Sequence, residues 1–216
     1  LAKPFGAPVQ VPGIHLSGKN NVHASLTADE LTIVFGTNRD DPMNQIYHLY
    51  MATRPTRNDA FTGATFLPGT YSAEGESAPT LSGDGNTIFF DSFRVTNGLV
   101  HIFTSTRSNP VVQFPTATMI TGDYLIDPSV TSDGKVLYAA SLQTGYIVRM
   151  DKMGNGWGAP QTVALPNTPS CVSPITNDDL TLYVGIGDST GHDVGATKRA
   201  STSVGFPMVT AVPELQ

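Results

Sequence analysis

The sequence predicts an all-β fold, a β-propeller of four blades, each of four antiparallel strands, with a surplus N-terminal outer strand. Composition is the first observation behind this. Of 216 residues, 21 are Gly and 16 are Pro, while only 14% are charged. Helices disfavour Gly and Pro, and disordered chains are rich in charge, so short strands joined by many turns remain. The second observation is a segment written four times: SLTADELTIVFGT from Ser25, TLSGDGNTIFFDS from Thr80, SVTSDGKVLYAAS from Ser129 and PITNDDLTLYVGI from Pro174. The third is its period. The shared Asp29, Asp84, Asp133 and Asp178 lie 55, 49 and 45 residues apart, close to the length of a propeller blade.

The elements follow in order within each unit. Leu26, Leu81, Val130 and Ile175 are expected to start a strand. The Asp three residues later sits in a turn, where its carboxylate accepts backbone N–H groups, and Gly85 and Gly134 supply positive φ there. A buried β run follows: Ile33-Val34-Phe35, Ile88-Phe89-Phe90, Val136-Leu137-Tyr138 and Leu182-Tyr183-Val184. A third strand covers Ile46–Arg54, Leu99–Arg107, Gly145–Lys152 and Gly191–Arg199. The fourth opens on an aromatic residue: Phe61, Phe114, Trp157 and Phe206. The blade units run approximately over 22–70, 76–122, 126–166 and 171–213. A surplus outer strand at 5–11 repeats the wording of Trp157-Gly158-Ala159-Pro160 in its Phe-Gly-Ala-Pro. An incomplete five-bladed propeller is the alternative. A lone blade cannot bury both of its faces, so the units must stack around an axis.

The wording Pro-Ser-Val-Thr-Ser-Asp-Gly-Lys-Val-Leu-Tyr, from Pro128, resembles the TolB-type propeller repeat, a WD-like repeat of many bacterial secreted proteins. The resemblance covers essentially the whole chain. It implies architecture and says little of function, because that repeat serves scaffolds, binders and enzymes alike.

Net charge is −6 and the 12 basic residues are scattered, which argues against a nucleic-acid partner. No apolar run approaches the roughly 20 residues of a membrane span. Cys171 is the only cysteine, which excludes an internal disulfide and reads as a buried thiol. The first residue is Leu1, which fits a removed leader or a piece of a longer protein. Low Lys content and abundant small polar residues lean toward an extracytoplasmic, periplasmic or secreted location.

No nucleophile elbow, phosphate loop, His-Glu-x-x-His motif or Cys pair is present. Gly36–Asp41 and Gly187–Asp193 read as solvated loops. The histidines stand out. Aligned on the Thr near the ends of the third strands, His48, His101 and His192 share one repeat position, which blade three fills with Gly145. His23 precedes its inner strand and is expected at the same face, while His15 is set apart. Two readings stay open. Each His bonds a neighbouring blade's backbone, or imidazoles from several blades converge on a divalent transition metal. The oligogalacturonate lyases, built on the same repeat, are similar in holding a divalent metal with propeller histidines, but their motifs do not match here residue by residue. Arg54 and Arg107 are expected to form capping ion pairs between blades at the opposite face, with Arg39 and Arg94 pointing to that same opposite face.

The functional expectation is an extracytoplasmic binding module that presents a loop face to a protein or glycan. The alternative is a metal-dependent lyase or hydrolase using His23, His48, His101 and His192. A structural segment of a larger secreted protein is a third class.

Overall fold

The computed structural model describes residues 9–95, 98–166, 176–188 and 191–212, with the backbone alone at 187, 188, 191 and 192. Blade one holds β1 (Asn21–Leu26), β2 (Thr32–Thr37), β3 (His48–Thr53) and β4 (Thr62–Phe66), antiparallel and paired in that order. Blade two repeats it with β5 (Glu76–Leu81), β6 (Thr87–Ser92), β7 (His101–Thr106) and a short β8 (Thr118–Met119). Blade three has β9 (Leu125–Val130), β10 (Val136–Ser141) and β11 (Ile147–Met153). Its outer strand is split into β12 (Gly156–Trp157) and β13 (Gln161–Thr162), both paired to β11, and Pro160, which has no N–H to give, lies in the gap. Blade four shows β14 (Thr181–Asp188), β15 (Gly191–Lys198) and β16 (Thr210–Ala211). Its expected inner strand at Ile175, and Cys171, lie outside the described residues. Among the described residues there is no α-helix, only a 3-10 turn at Pro68–Thr70. The protein is a four-bladed β-propeller.

Three apolar layers join successive blades. Val34, Leu49 and Leu67 of blade one meet Leu81, Ile88 and Phe90 of blade two. Phe89 and Ile102 meet Leu125, Leu137 and Met150. Tyr138 and Ile147 meet Leu182, Val184 and Phe206. Because the second strands of blades one, two and three are covered on both faces, their sequences read as continuous apolar runs rather than an alternation. The turns are linked in the same sense: Ala28 N donates to Gly83 O at 3.0 Å, Gly83 N to Ser132 O at 2.9 Å, and Ser132 N to Asn177 O at 2.9 Å. A Cβ on Gly83 would stand 2.1 Å from Ser132 Oγ, so the approach needs glycine.

Within each blade the turn is built as expected. Asp29, Asp84 and Asp133 accept a hydroxyl from Thr27, Ser82 and Thr131 at 2.6, 2.6 and 2.7 Å, and a backbone N–H two residues on. Asp178 accepts the N–H groups of Leu180 and Thr181. The next residue is left-handed in all four turns: Glu30, Gly85, Gly134 and Asp179 have φ of 63°, 69°, 69° and 56°. A second left-handed position, with φ of 48°, 45° and 52°, recurs at His23, Ala78 and Asp127, where a bulge shifts the register of the inner strand.

Arg54 and Arg107 differ from expectation, and Arg199 behaves as they do. Arg54, Arg107 and Arg199 do not bridge blades as capping ion pairs. Each donates Nε to the turn carbonyl of its own blade, at Glu30 (2.9 Å), Gly85 (3.0 Å) and Asp179 (2.8 Å). Each guanidinium then stacks on the aromatic residue that opens the fourth strand, 4.5, 4.4 and 4.5 Å from the ring centres of Phe61, Phe114 and Phe206. Blade three carries a weaker copy in Lys152 and Trp157, at 6.0 Å.

Residues 5–8 of the surplus outer strand lie outside the described residues, and Val9–Val11 form no strand. The chain just beyond packs on the outer face of blade one. Ile14 joins Ile33, Phe35, Tyr50 and Phe61, and Phe61 N donates to Pro12 O at 3.2 Å.

All four turn carboxyls lie below the usual Asp range. At Asp29 and Asp133 the hydroxyl bonds from Thr27 and Thr131 are the leading cause. At Asp84 and Asp178 burial pushes upward and is outweighed by the bonds the carboxylates accept. Carboxyls held low contribute stability above the ordinary Asp pKa, and that stability is lost as pH falls through the folded value. Asp84→Ala and Asp133→Ala should each cost about 1–3 kcal/mol in urea unfolding at neutral pH. The difference from wild type should shrink below pH ~4. A variant as stable as wild type at neutral pH would remove the turn from this role.

Candidate functional site

The strand pairing decides which residues begin the third strands. Thr37 faces His48 and Ser92 faces His101. In blade four the corresponding residue, Ile186, faces Asp193, while His192 faces Gly187. The repeat position is therefore His48, His101 and Asp193, and His192 lies one residue off it. Arg199, not Thr197, is the true anchor. Its N–H bonds Leu180 O as those of Arg54 and Arg107 bond Leu31 O and Asn86 O, and Lys198 is one extra residue between Thr and Arg. By the same count blade three supplies Tyr146 rather than Gly145, since Lys152 N bonds Lys135 O and Ser141 N bonds Tyr146 O. The His192 side chain lies outside the described part.

Antiparallel strands place the starts of the inner and third strands at one face and the Asp turns at the other. Arg39 and Arg94 follow the second strand, so they lie at the face of His48 and His101. This corrects the expectation that they share a face with Arg54 and Arg107.

The most connected group at this face centres on Glu76, at the start of β5, whose side chain is fully buried. His48 Nδ1 lies 2.9 Å from its Oε2. Arg94 Nη2 donates to Oε1 at 3.1 Å and Ser72 Oγ to the same oxygen at 2.7 Å. Arg94 also donates to Thr70 O and stacks on Phe103 and Phe90, 4.4 and 5.1 Å from the ring centres. The His48 ring packs against Tyr71 and Phe66. Burial pushes the Glu76 carboxyl above its ordinary range, while the His48 and Ser72 hydrogen bonds and the Arg94 charge pull it back. Nearby, Asp91 accepts Ser77 Oγ at 2.5 Å and Asp127 N at 3.1 Å, and burial raises its carboxyl too.

These groups border a cleft of about 170 Å³ between blades one and two. Ile46, Tyr47, Glu74, Glu76, Asp91 and Phe93 line it. Phe93 is 54% exposed, and Tyr71, against His48, is 53% exposed.

The other histidines go elsewhere. His101 is buried, with Nδ1 3.2 Å from Asp123 O and its ring against Tyr124. Blade three has Leu125 where blade two has Glu76, so the equivalent of the His48 ion pair cannot form. His23 and His15 line a separate cleft of about 230 Å³ between the N-terminal segment and blade one. The structure thus groups His23 with His15 rather than with His48. Among the described residues no set of three or more His, Cys, Asp or Glu side chains is placed to hold a metal.

Sequence reasoning missed Glu76, Ser72 and Asp91. A signal for the first was available. Arg39 and Arg94 occupy one repeat position, two residues after Thr37 and Ser92. Arg39 reaches Asn21 Oδ1 at 3.4 Å, as Arg94 reaches Glu76. A carboxylate replacing Asn21 and Leu125 at one strand start marks the blade that differs.

The chain matches no protein-family model, and no curated protein sequence matches it. Solved structures do. TolB from Acinetobacter baumannii matches with a TM-score of 0.58 and 18% identity over 89% of this chain and 43% of that one. A putative TolB from Agrobacterium tumefaciens gives 0.64 and 12%, over 94% of this chain and 68% of that one. The fold is that of a TolB-like propeller. The α-L-arabinofuranosidase PaAbf62A from Podospora anserina, in complex with cellotriose, is also similar, at 0.58 and 14% over 92% and 71% of the two chains. At these identities the likeness is one of fold. The chain spans less than half the length of the Acinetobacter TolB.

Glu76→Ala strands the partly buried Arg94 and His48, and should destabilise this propeller by about 3–5 kcal/mol. Glu76→Gln should lose less, about 1–3 kcal/mol at neutral pH. A carboxyl raised by folding contributes stability that is complete below its ordinary pKa and lost as pH rises through the folded value. The stability of wild type relative to Glu76→Gln should therefore decline as pH rises from about 4.5. A parallel pair of stability–pH curves would place the Glu76 carboxyl in solvent.

Proposed function

We propose that this propeller is an extracytoplasmic binding module that takes a protein or glycan ligand at the face where the inner strands begin. The observation that carries this is the cleft between blades one and two. It sets an exposed aromatic, Phe93, and the carboxylate of Glu74 on a base stiffened by the His48–Glu76–Arg94 network. Exposed rings stack on sugar C–H faces or apolar side chains, and fixed polar groups choose the orientation. The likeness to an α-L-arabinofuranosidase seen with cellotriose supports the glycan form. The resemblance of the repeat to that of secreted proteins supports the location, and no described helix is long and apolar enough to cross a membrane.

Phe93→Ala should weaken binding about tenfold in titrations against soluble polysaccharides and envelope proteins, with the melting temperature unchanged. Undiminished binding by this variant would remove the cleft from this role.

A second reading, a metal-dependent lyase or hydrolase, draws support from Glu76 and Asp91. Two buried carboxyls, both pushed above their ordinary range by burial, lie beside one cleft, an arrangement suited to proton transfer. Of the four candidate ligands His23, His48, His101 and His192, His48 lies against Glu76, and the charge of His23 acts on Asp91. In this reading, protein purified without a His tag carries stoichiometric metal. EDTA should then lower its melting temperature, and His48→Ala should abolish that sensitivity. A metal-free protein indifferent to EDTA and to added divalent metals would end it.

A further inference from the structure

Blades two, three and four are each covered by the blade before them, through the three apolar layers. Blade one is covered by the N-terminal chain instead. Ile33 and Phe35 stand where Ile88 and Phe90 stand in blade two, and among the described residues Ile14 alone joins their cluster from that chain. The chain is held firmly. Gly13 has φ of 85°, and a Cβ on it would stand 1.7 Å from Phe61 O, while Arg39 Nη2 donates to Ile14 O at 3.1 Å. It is also narrower than a blade. Leu26 is 42% exposed, where its counterparts Leu81 and Val130 are 4% and 3% exposed.

Between this chain and β1 lies the cleft of about 230 Å³ that His15 and His23 share. Drug-sized ligands occupy about 300–1,000 Å³, so this volume suits a single ring or a short chain. Val11, Val22, Ile33 and Phe35 give it apolar walls, and Val11 is 44% exposed. Its free polar groups are chiefly donors. His15 and His23 are exposed, and among the described residues neither imidazole has a hydrogen-bond partner, so each has an N–H to give. Arg39 donates to Asn21 Oδ1 at 3.4 Å, which leaves the Asn21 amide N–H groups to give as well. The Arg39 guanidinium itself lies 5.1 Å from the ring centre of Phe35, and its neighbour Asp40 accepts the Tyr50 hydroxyl. No Asp or Glu is among the described lining residues, and the carboxylate on which the His23 charge acts, Asp91, belongs to blade two. Donors over apolar walls, with no carboxylate of their own, complement a carboxylate carried on an apolar body.

We propose that this cleft binds a small monocarboxylate of the size of benzoate. His15, His23 and Asn21 hold the carboxylate, and Val11, Val22 and Phe35 pack against the apolar body. The site is on the side of blade one turned away from blade two, whereas the Glu76 cleft lies between those blades. It stands or falls separately from the function proposed for that cleft.

The test is an amide ¹H–¹⁵N NMR titration of the whole chain with benzoate, and with benzyl alcohol and benzylamine as the neutral and cationic controls. Benzoate should shift the amides of Val22, Ala24 and Ile33 saturably and leave those of Glu74 and Phe93 in place. Benzyl alcohol should bind about tenfold more weakly, the worth of a charge-assisted hydrogen bond, and benzylamine more weakly still. His23→Asn removes the imidazole at a left-handed position that Asn tolerates, and His15→Gln removes the other. Together they should weaken benzoate binding about tenfold without lowering the melting temperature. Should the double variant melt lower, His15→Gln alone, at an exposed residue, carries the same comparison with a loss of about threefold. Any of three results overturns the proposal: no saturable shift up to the solubility of benzoate; benzyl alcohol or benzylamine bound as tightly as benzoate; or equal benzoate affinity in the imidazole-deleted variant.

Discussion

A propeller blade is a small sheet with two apolar faces, and neither can be left to water. Stacking is the constraint on which the rest of this molecule depends. Val34, Phe89 and Tyr138 are almost wholly removed from solvent only because the next blade lies over them. The distance between blades is set at the turns, where Gly83 lets its backbone come close enough to donate to Ser132 O. Once that spacing is set, the starts of the inner strands at the far face have fixed neighbours. Glu76 is presented to His48 of the previous blade and to Arg94 of its own as a result.

Much of this architecture is legible in the sequence, because the turn is local. An Asp, a residue able to take positive φ and an apolar run occupy consecutive positions, and four copies reinforce one another. The Arg–aromatic contact was visible as residue types in the right places, but its partner was not. Arg107 reaches a carbonyl of its own turn, 22 residues earlier in the chain, and nothing about a lone Arg distinguishes that from an ion pair. The histidine alignment failed for a smaller reason. A single extra residue, Lys198, separates Thr197 from the Arg that pairing uses as its anchor, and in a strand a shift of one residue exchanges the two faces.

The candidate site was less legible than the fold. It is assembled from β3, the turn after β4, β5 and the loop after β6, so no stretch of sequence contains it. Two features nevertheless point to it once the repeat is aligned: the Arg position shared by Arg39 and Arg94, and the strand start at which Asn21, Glu76 and Leu125 differ. Where a repeat is otherwise constant, a charged departure at a junction carries more information than a recurrent residue. His101 makes the point in reverse. It matches His48 in position, yet Leu125 stands where Glu76 would, and the His101 ring turns to Asp123 O and Tyr124 instead.

In blades one and two the arginine clasp lies inside the blade, joining its turn, its third strand and the ring that opens its fourth. The Glu76 cluster, by contrast, belongs to no blade and exists only at a seam. Gene duplication, deletion or shuffling of blades would therefore transmit the clasp intact each time. The seam would be rewritten by whichever strand start came to lie beside the third strand of its new neighbour. Such a lineage can keep its scaffold and change its chemistry in one recombination event, without a single substitution in either blade.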